Sequence, residues 1–299
     1  MVEVSARAPG TDPARVARRP WRALEPVHGM IYFASEAQDA YARLGITHHR
    51  TGYFASRSAA MGPVPADVVV ATFFNFYPGL VQRAMNGVWD TVTPARLLEA
   101  RLEGADAALR RAFGEAIGST DLAEVAGIAR QAAVAACEDG VHGRPLFAGH
   151  ASLSWPDEAH LILWHAQTLL REYRGDGHIA VLTAEGLSGV EALVTHAATN
   201  DIPAELLASS RAWPQPEWDA AIERLAARGL VDASGQFTDA GREQRQRIED
   251  RTDALSLPAY AGLSDDDAER FVQLGRPFSR MVIEAGLLSV DPNRWFTAE

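Results

Sequence analysis

The chain predicts a mainly α-helical protein in two parts, a helical region over 13–150 and a second region over 151–299 that contains a helix, a short hairpin and a second helix. Three observations carry this. Apolar residues recur at helical spacing almost throughout, as in Leu97, Leu98, Leu102 and Leu109. Helix-starting residues precede such stretches: Thr93 before Pro94, Ser119 or Thr120 before Asp121, and Ser264 before Asp265. Between the two parts, 140–156 carries Gly143, Pro145, Gly149 and Pro156 and reads as a loop and boundary.

Taken in order, Val16, Trp21, Leu24, Val27, Ile31 and Phe33 suit helices over 13–44, with Pro20 and Pro26 as interruptions. Residues 67–76 read as an apolar helix or a buried strand, because Val68, Val69 and Val70 fit either. The long helices of 94–114 and 121–137, joined by a short turn, predict an antiparallel hairpin. A helix over 157–173 then meets a turn at Gly175, Asp176 and Gly177, followed by helices over 178–185 and 188–198. Residues 214–229 form an amphipathic helix, 230–238 a short hairpin, and Asp239 opens a long polar helix. The last helix, 265–286, starts with Asp265, Asp266, Asp267 and Glu269, acids that suit the positive end of a helix.

Composition narrows the function. With 299 residues, 47% hydrophobic and 22% charged, the chain has the make-up of a globular protein long enough for two domains. A formal net charge of -11 gives it no overall attraction for nucleic acid or an anionic membrane. The single cysteine, Cys137, excludes an intramolecular disulfide and a Cys-based zinc cluster, and reads as a small buried apolar residue. Residues 1–12 are polar with no apolar leader segment, and no run approaches the roughly 20 apolar residues of a membrane span. A cytoplasmic protein with no membrane partner is expected.

Two resemblances sharpen the picture. With Arg228-Gly229-Leu230-Val231 before the hairpin and Thr238-Asp239-Ala240-Gly241-Arg242 after it, the segment from Trp213 to Leu255 resembles the winged helix of MarR-type regulators. That resemblance implies DNA binding, yet the helix that would enter the major groove carries Glu217, Asp219 and Glu223 against Arg224 and Arg228, and phosphates repel carboxylates. The expectation is a degenerate winged-helix domain with a short β-hairpin wing and no nucleic-acid partner. Further strings are Ala17-Arg18-Arg19-Pro20-Trp21, Tyr53-Phe54-Ala55-Ser56-Arg57, Ala71-Thr72-Phe73-Phe74-Asn75-Phe76 and Arg171-Glu172-Tyr173-Arg174-Gly175-Asp176-Gly177-His178. Together they are similar to a family from high-GC bacteria, known mostly as helix-turn-helix proteins. That likeness implies a place beside secondary-metabolism genes.

Candidate chemistry concentrates in 164–178. On one helical stripe His165, Thr168 and Glu172 place an imidazole, a hydroxyl and a carboxylate, and Asp176 and His178 follow at the turn. A His held by a carboxylate acts as general base and a second His as acid, so the catalytic candidates are His165, Glu172, Asp176 and His178. The ordinary alternative stays open: Asp176 caps the next helix, Arg171 and Glu172 are solvated, and His165 is a satisfied core imidazole. Ligand-binding candidates are Tyr53, Arg57, Phe74, Asn75, Trp164 and Thr168. Arg57 suits an anion clamp and Asn75 needs a partner among its aromatic neighbours, while Phe54, Phe73 and Phe76 complete an apolar wall.

No metal and no cofactor are expected. His48 and His49 are adjacent, His160 and His165 are five apart, and a metal would need ligands gathered from distant segments such as His165, His178 and His196. Phosphate-loop, dinucleotide-binding and nucleophile-elbow motifs do not occur. The function expected is a small-molecule-binding winged-helix-like protein that has lost DNA binding, with a cofactor-free lyase or cyclase of secondary metabolism as its catalytic form. The alternative is a ligand-responsive MarR-like regulator, a homodimer through its terminal helices.

Overall fold

The computed structural model describes residues 14–288; the sequence expectations for 1–13 and 289–299 lie outside them. The first helices are α1 (Arg19–Gly29), α2 (Ser35–Ala42), α3 (His49–Ser58), α4 (Ala66–Thr72), α5 (Pro78–Met85) and α6 (Val88–Thr91). Pro20 sits in the first turn of α1, where its missing N–H costs nothing, but Pro26 lies inside α1 instead of interrupting it. The ambiguous 67–76 segment is resolved as helix α4 and a turn.

Next come α7 (Pro94–Phe113) and α8 (Thr120–Asp139), capped by Thr93 and Ser119, whose hydroxyls accept the Arg96 and Leu122 amides. They do not form the expected hairpin: α7 packs chiefly on α2, and α8 on α10 (Ala159–Ala184). The α7–α2 contact depends on Gly104, where a Cβ would fall 2.5 Å from the Ala37 Cα. The segment 140–156 is more than a loop, because α9 (Pro145–Ala151) forms within it.

Helix α10 holds the largest departure from the sequence reading. It runs unbroken through Gly175, Asp176 and Gly177, where a turn was expected. Its glycines serve close approach: a Cβ on Gly177 would lie 2.7 Å from Arg144 Nη1. That guanidinium lies over the Tyr173 ring at 3.7 Å, donates to the Tyr173 carbonyl, and donates to the Leu255 carbonyl at 2.9 Å. A side chain at 177 would displace it.

The chain continues through α11 (Gly189–Ala197), α12 (Ala204–Arg211), α13 (Gln215–Ala227), α14 (Asp239–Ser256) and α15 (Asp265–Glu284). Capping boxes at Ser188 and Ser264 start α11 and α15, and Thr238 caps α14. Between α13 and α14 the expected hairpin wing shrinks to a single antiparallel bridge, Val231 to Phe237. The flanking helices leave little chain to extend it, since α13 ends at Ala227 and α14 starts at Asp239; within the turn the Asp232 carboxylate takes the Ser234 and Gln236 amides, and the Asp232 amide donates to the Gln236 carbonyl. No strand occurs among the described residues, so the protein is mainly α without a β wing.

Apolar packing changes partner within α10. A large cluster gathers Leu24, Phe54, Leu97, Leu109, Phe147 and Tyr173, to which Phe271 and Val282 of α15 return. A smaller one takes Val181 and Leu182 from the end of α10, with Leu193, Leu207, Trp218, Leu225, Val231 and Ile248. The three-helix unit α11–α13 is therefore built on the C-terminal end of α10, whose N-terminal half lies in the larger body. No helix among the described residues is long and apolar enough to cross a membrane.

Candidate functional site

Arg101 opens the site because its position is physically costly. It falls on the apolar stripe of α7, in line with Leu97, Gly104, Ala105 and Ala108, and is only 2% exposed. Burial pulls its pKa down, but a guanidinium keeps its charge in proteins. Its Nε and Nη2 have no hydrogen-bond partner. The face of the Trp164 ring, 4.8 Å away, meets the cation.

Arg101 lines a cavity of about 330 Å³ between α7, α9, the 153–156 loop and α10, at the small end of the usual ligand range of roughly 300–1,000 Å³. Leu98, Leu102, Trp155 and Pro156 supply apolar wall; His150, Trp164, His165 and Thr168 supply the polar groups. Three of these repeat the Arg101 problem: His150 Nε2, Trp164 Nε1 and His165 Nε2 are buried without a hydrogen-bond partner. Buried polar groups normally have one, so four orphaned side chains around one cavity call for an explanation. Burial, and after it the charge on Arg101, lowers His150 to about 3 and His165 to about 4, so both imidazoles are neutral at physiological pH. The Trp155 ring meets His165 edge-on at 4.8 Å.

Thr168 links this cavity to a second polar cluster. Its hydroxyl donates to the Trp164 carbonyl at 2.9 Å, which leaves its oxygen to accept from His28 Nδ1 at 3.1 Å. His28 is held neutral, chiefly by burial, so its Nε2 accepts from the Tyr32 hydroxyl. Beyond Tyr32 lies Arg57. It donates to the Tyr53 hydroxyl at 2.8 Å and to both Glu172 oxygens at 2.8 and 3.1 Å, and it lies over the Phe73 ring at 4.5 Å. Arg171 donates to Glu172 at 2.6 Å. Despite burial, the two guanidinium groups hold the Glu172 carboxyl far below the usual carboxylate range. Glu25, accepting from Trp21 Nε1 at 2.9 Å, is instead raised by burial to about 7.

The residues singled out from the sequence divide accordingly. Trp164, His165 and Thr168 meet at the cavity, whereas Tyr53, Arg57 and Glu172 form the buried ion cluster two helical turns along α10. No hydrogen bond joins His165 to Glu172, whose oxygens Arg57 and Arg171 occupy. Asp176 caps a helix, but it is α9 and not a following one: its carboxylate accepts the Phe147 amide at 2.9 Å. Desolvation still raises Asp176 to about 6. His178 bonds Thr252 of α14 at 2.9 Å, beside the ion pair of Arg174 with Asp253 at 2.7 Å. Phe74 packs against the smaller apolar cluster, and the Asn75 carbonyl accepts from Trp213 Nε1 at 2.8 Å. Sequence reading missed Arg101, His150 and Trp155. The available signal was an arginine on the apolar stripe of 97, 101, 104, 105 and 108.

Two other features compete less well. A depression of about 380 Å³ between α11, α13 and the 234–236 turn has no orphaned buried side chain among its lining residues. Asp106, Glu158 and His160 bring ligand atoms within 4.8 Å of one another, but Arg110 donates to both carboxylates and His160 lies 2.6 Å from Asp106. An arginine already supplies the positive charge there.

On α13, Glu217, Asp219 and Glu223 are exposed, as the sequence implied. The arginine of α13 and the one just after it are engaged at home: Arg224 pairs with Glu191 at 2.9 Å, and Arg228 donates to the Gly186 and Glu185 carbonyls. A family model described as a helix-turn-helix family matches residues 17–289. No curated protein and no solved structure matches the chain.

Proposed function

The chain belongs to the helix-turn-helix family, and we propose that it is a small-molecule-binding member whose ligand occupies the cavity between α7, α9 and α10. One observation carries the reading: the unpartnered Arg101, His150, Trp164 and His165 around a single cavity. Stable proteins rarely leave such groups unsatisfied, and a ligand with matching polar atoms removes the cost. The exposed acids and engaged arginines of α13 support the further reading that this helix no longer holds a DNA duplex.

A ligand-responsive regulator, winged-helix-like and dimeric, is the second reading. Family membership favours it, and so does α10, one helix that lines the cavity with Trp164, His165 and Thr168 and enters the α11–α13 core with Val181 and Leu182. A catalytic reading receives less support, because the expected imidazole and carboxylate occupy separate clusters.

A thermal-shift screen of a diverse small-molecule library tests the proposal, run on wild type and on Ala95→Trp, which crowds the exposed rim of the cavity. Ligands that stabilise wild type and not the variant are expected. A library without any such compound, or hits indifferent to Ala95→Trp, would overturn it.

A further inference from the structure

The cavity's orphaned groups name the chemistry that would satisfy them, on the premise that the cavity is a small-molecule site. A guanidinium and an indole N–H only donate, so Arg101 and Trp164 require an acceptor. His150 and His165, being neutral, each bring one N–H and no charge. The cavity therefore holds one full positive charge with no opposite charge beside it. Glu172 is committed to Arg57 and Arg171. Glu99, the one carboxylate in the cavity lining, is exposed and paired with Arg96 at 3.0 Å. Tyr41, the strongest opposing influence on Arg101, is a phenol.

We propose that the cavity takes a small organic monoanion, a carboxylate on a flat apolar body. The carboxylate oxygens accept from Arg101 and Trp164, and the body lies against Leu98, Trp155 and Pro156. An arginine fork matches two carboxylate oxygens, and exclusion of water strengthens the pair. A neutral amide of the same shape offers one acceptor and leaves the cation uncompensated.

The test titrates the full chain with benzoate, 2-naphthoate and indole-3-acetate against their primary amides at constant ionic strength, with inorganic phosphate as a control. Thermal shift and tryptophan fluorescence report binding, since Trp155 and Trp164 line the cavity. At least one carboxylate is expected to bind at least tenfold more tightly than its amide, and phosphate alone weakly. Arg101→Gln should weaken that carboxylate about 10- to 100-fold, while the ligand-free protein melts at the same or a higher temperature. Trp164→Phe, which removes the N–H together with the five-membered ring of the indole but keeps an aromatic face under Arg101, should weaken it less. Amides that bind as well as carboxylates and depend on Ala95 would sink the anion inference and leave the cavity reading standing. Failure of all three carboxylates at millimolar concentration sinks it too, as does a carboxylate whose affinity is unchanged in Arg101→Gln.

Discussion

Arg57 and Glu172 form an ion pair with almost no solvent contact: Arg57 Nη2 lies 2.8 Å from Glu172 Oε1, with the side chains 4% and 1% exposed. This joins α3 to the middle of α10, and Arg171 makes Glu172 the only carboxylate bonded to two guanidinium groups in that cluster. Breaking such a pair strands a buried cation, at a cost of about 3–5 kcal/mol. Glu172→Gln is therefore expected to lower the unfolding free energy, read from chemical denaturation, by that order. A variant with unchanged stability but no ligand binding would show that Glu172 serves the ligand.

Acid should destabilise the protein as the pH falls from about 6.5 towards 4. His150 at about 3, His165 at about 4 and His178 at about 4 all lie below the unfolded histidine value of about 6.5. As pH falls from 6.5 towards 4 the unfolded chain takes up these protons first, so each imidazole costs up to about 1.4 kcal/mol per pH unit. Glu25 at about 7 and Asp176 at about 6 act in the opposite sense above pH 4.5, offsetting part of the loss. Three imidazoles outweigh two carboxyls, and His165→Leu should flatten the profile by one imidazole. Denaturation midpoints at half-unit pH steps check this; identical slopes in the two proteins would refute it.

Gly104→Ala is expected to destabilise the fold although alanine is the better helix former. The propensity gain is about 1 kcal/mol. The new methyl would sit 2.5 Å from the Ala37 Cα, forcing α2 off α7, and overpacking of this kind costs typically about 1–3 kcal/mol. A raised melting temperature would mean the two helices separate freely.

Duplex DNA should bind weakly at moderate salt, no tighter than micromolar, because α13 presents three acids and no free arginine. Replacing Glu217, Asp219 and Glu223 together by lysine should raise affinity and steepen its salt dependence. Submicromolar, sequence-specific binding by the wild type in an anisotropy titration would favour the regulator reading instead.

Much of the helical fold was legible because caps and apolar spacing are local signals: Thr93, Ser119 and Ser264 each begin a helix. In sequence Gly175 and Gly177 look like a break, whereas α10 runs through them and at Gly177 the reason for glycine is the distant Arg144. The wing is shorter than the sequence suggests, since the close of α13 at Ala227 and the start of α14 at Asp239 leave room for one bridge. The cavity was half legible. Trp164, His165 and Thr168 stand in one string, but Arg101 and His150 come from α7 and α9, and nothing local in the sequence says that these helices meet α10.

What fills the cavity beside Arg101 decides the function. The most direct measurement is a crystal structure of the protein with the tightest ligand found by titration. It should place an anionic oxygen within hydrogen-bond distance of the Arg101 guanidinium, with the apolar body against Trp155. Ligand density on α13 or in the α11–α13 depression, with the Arg101 cavity unchanged, would contradict it.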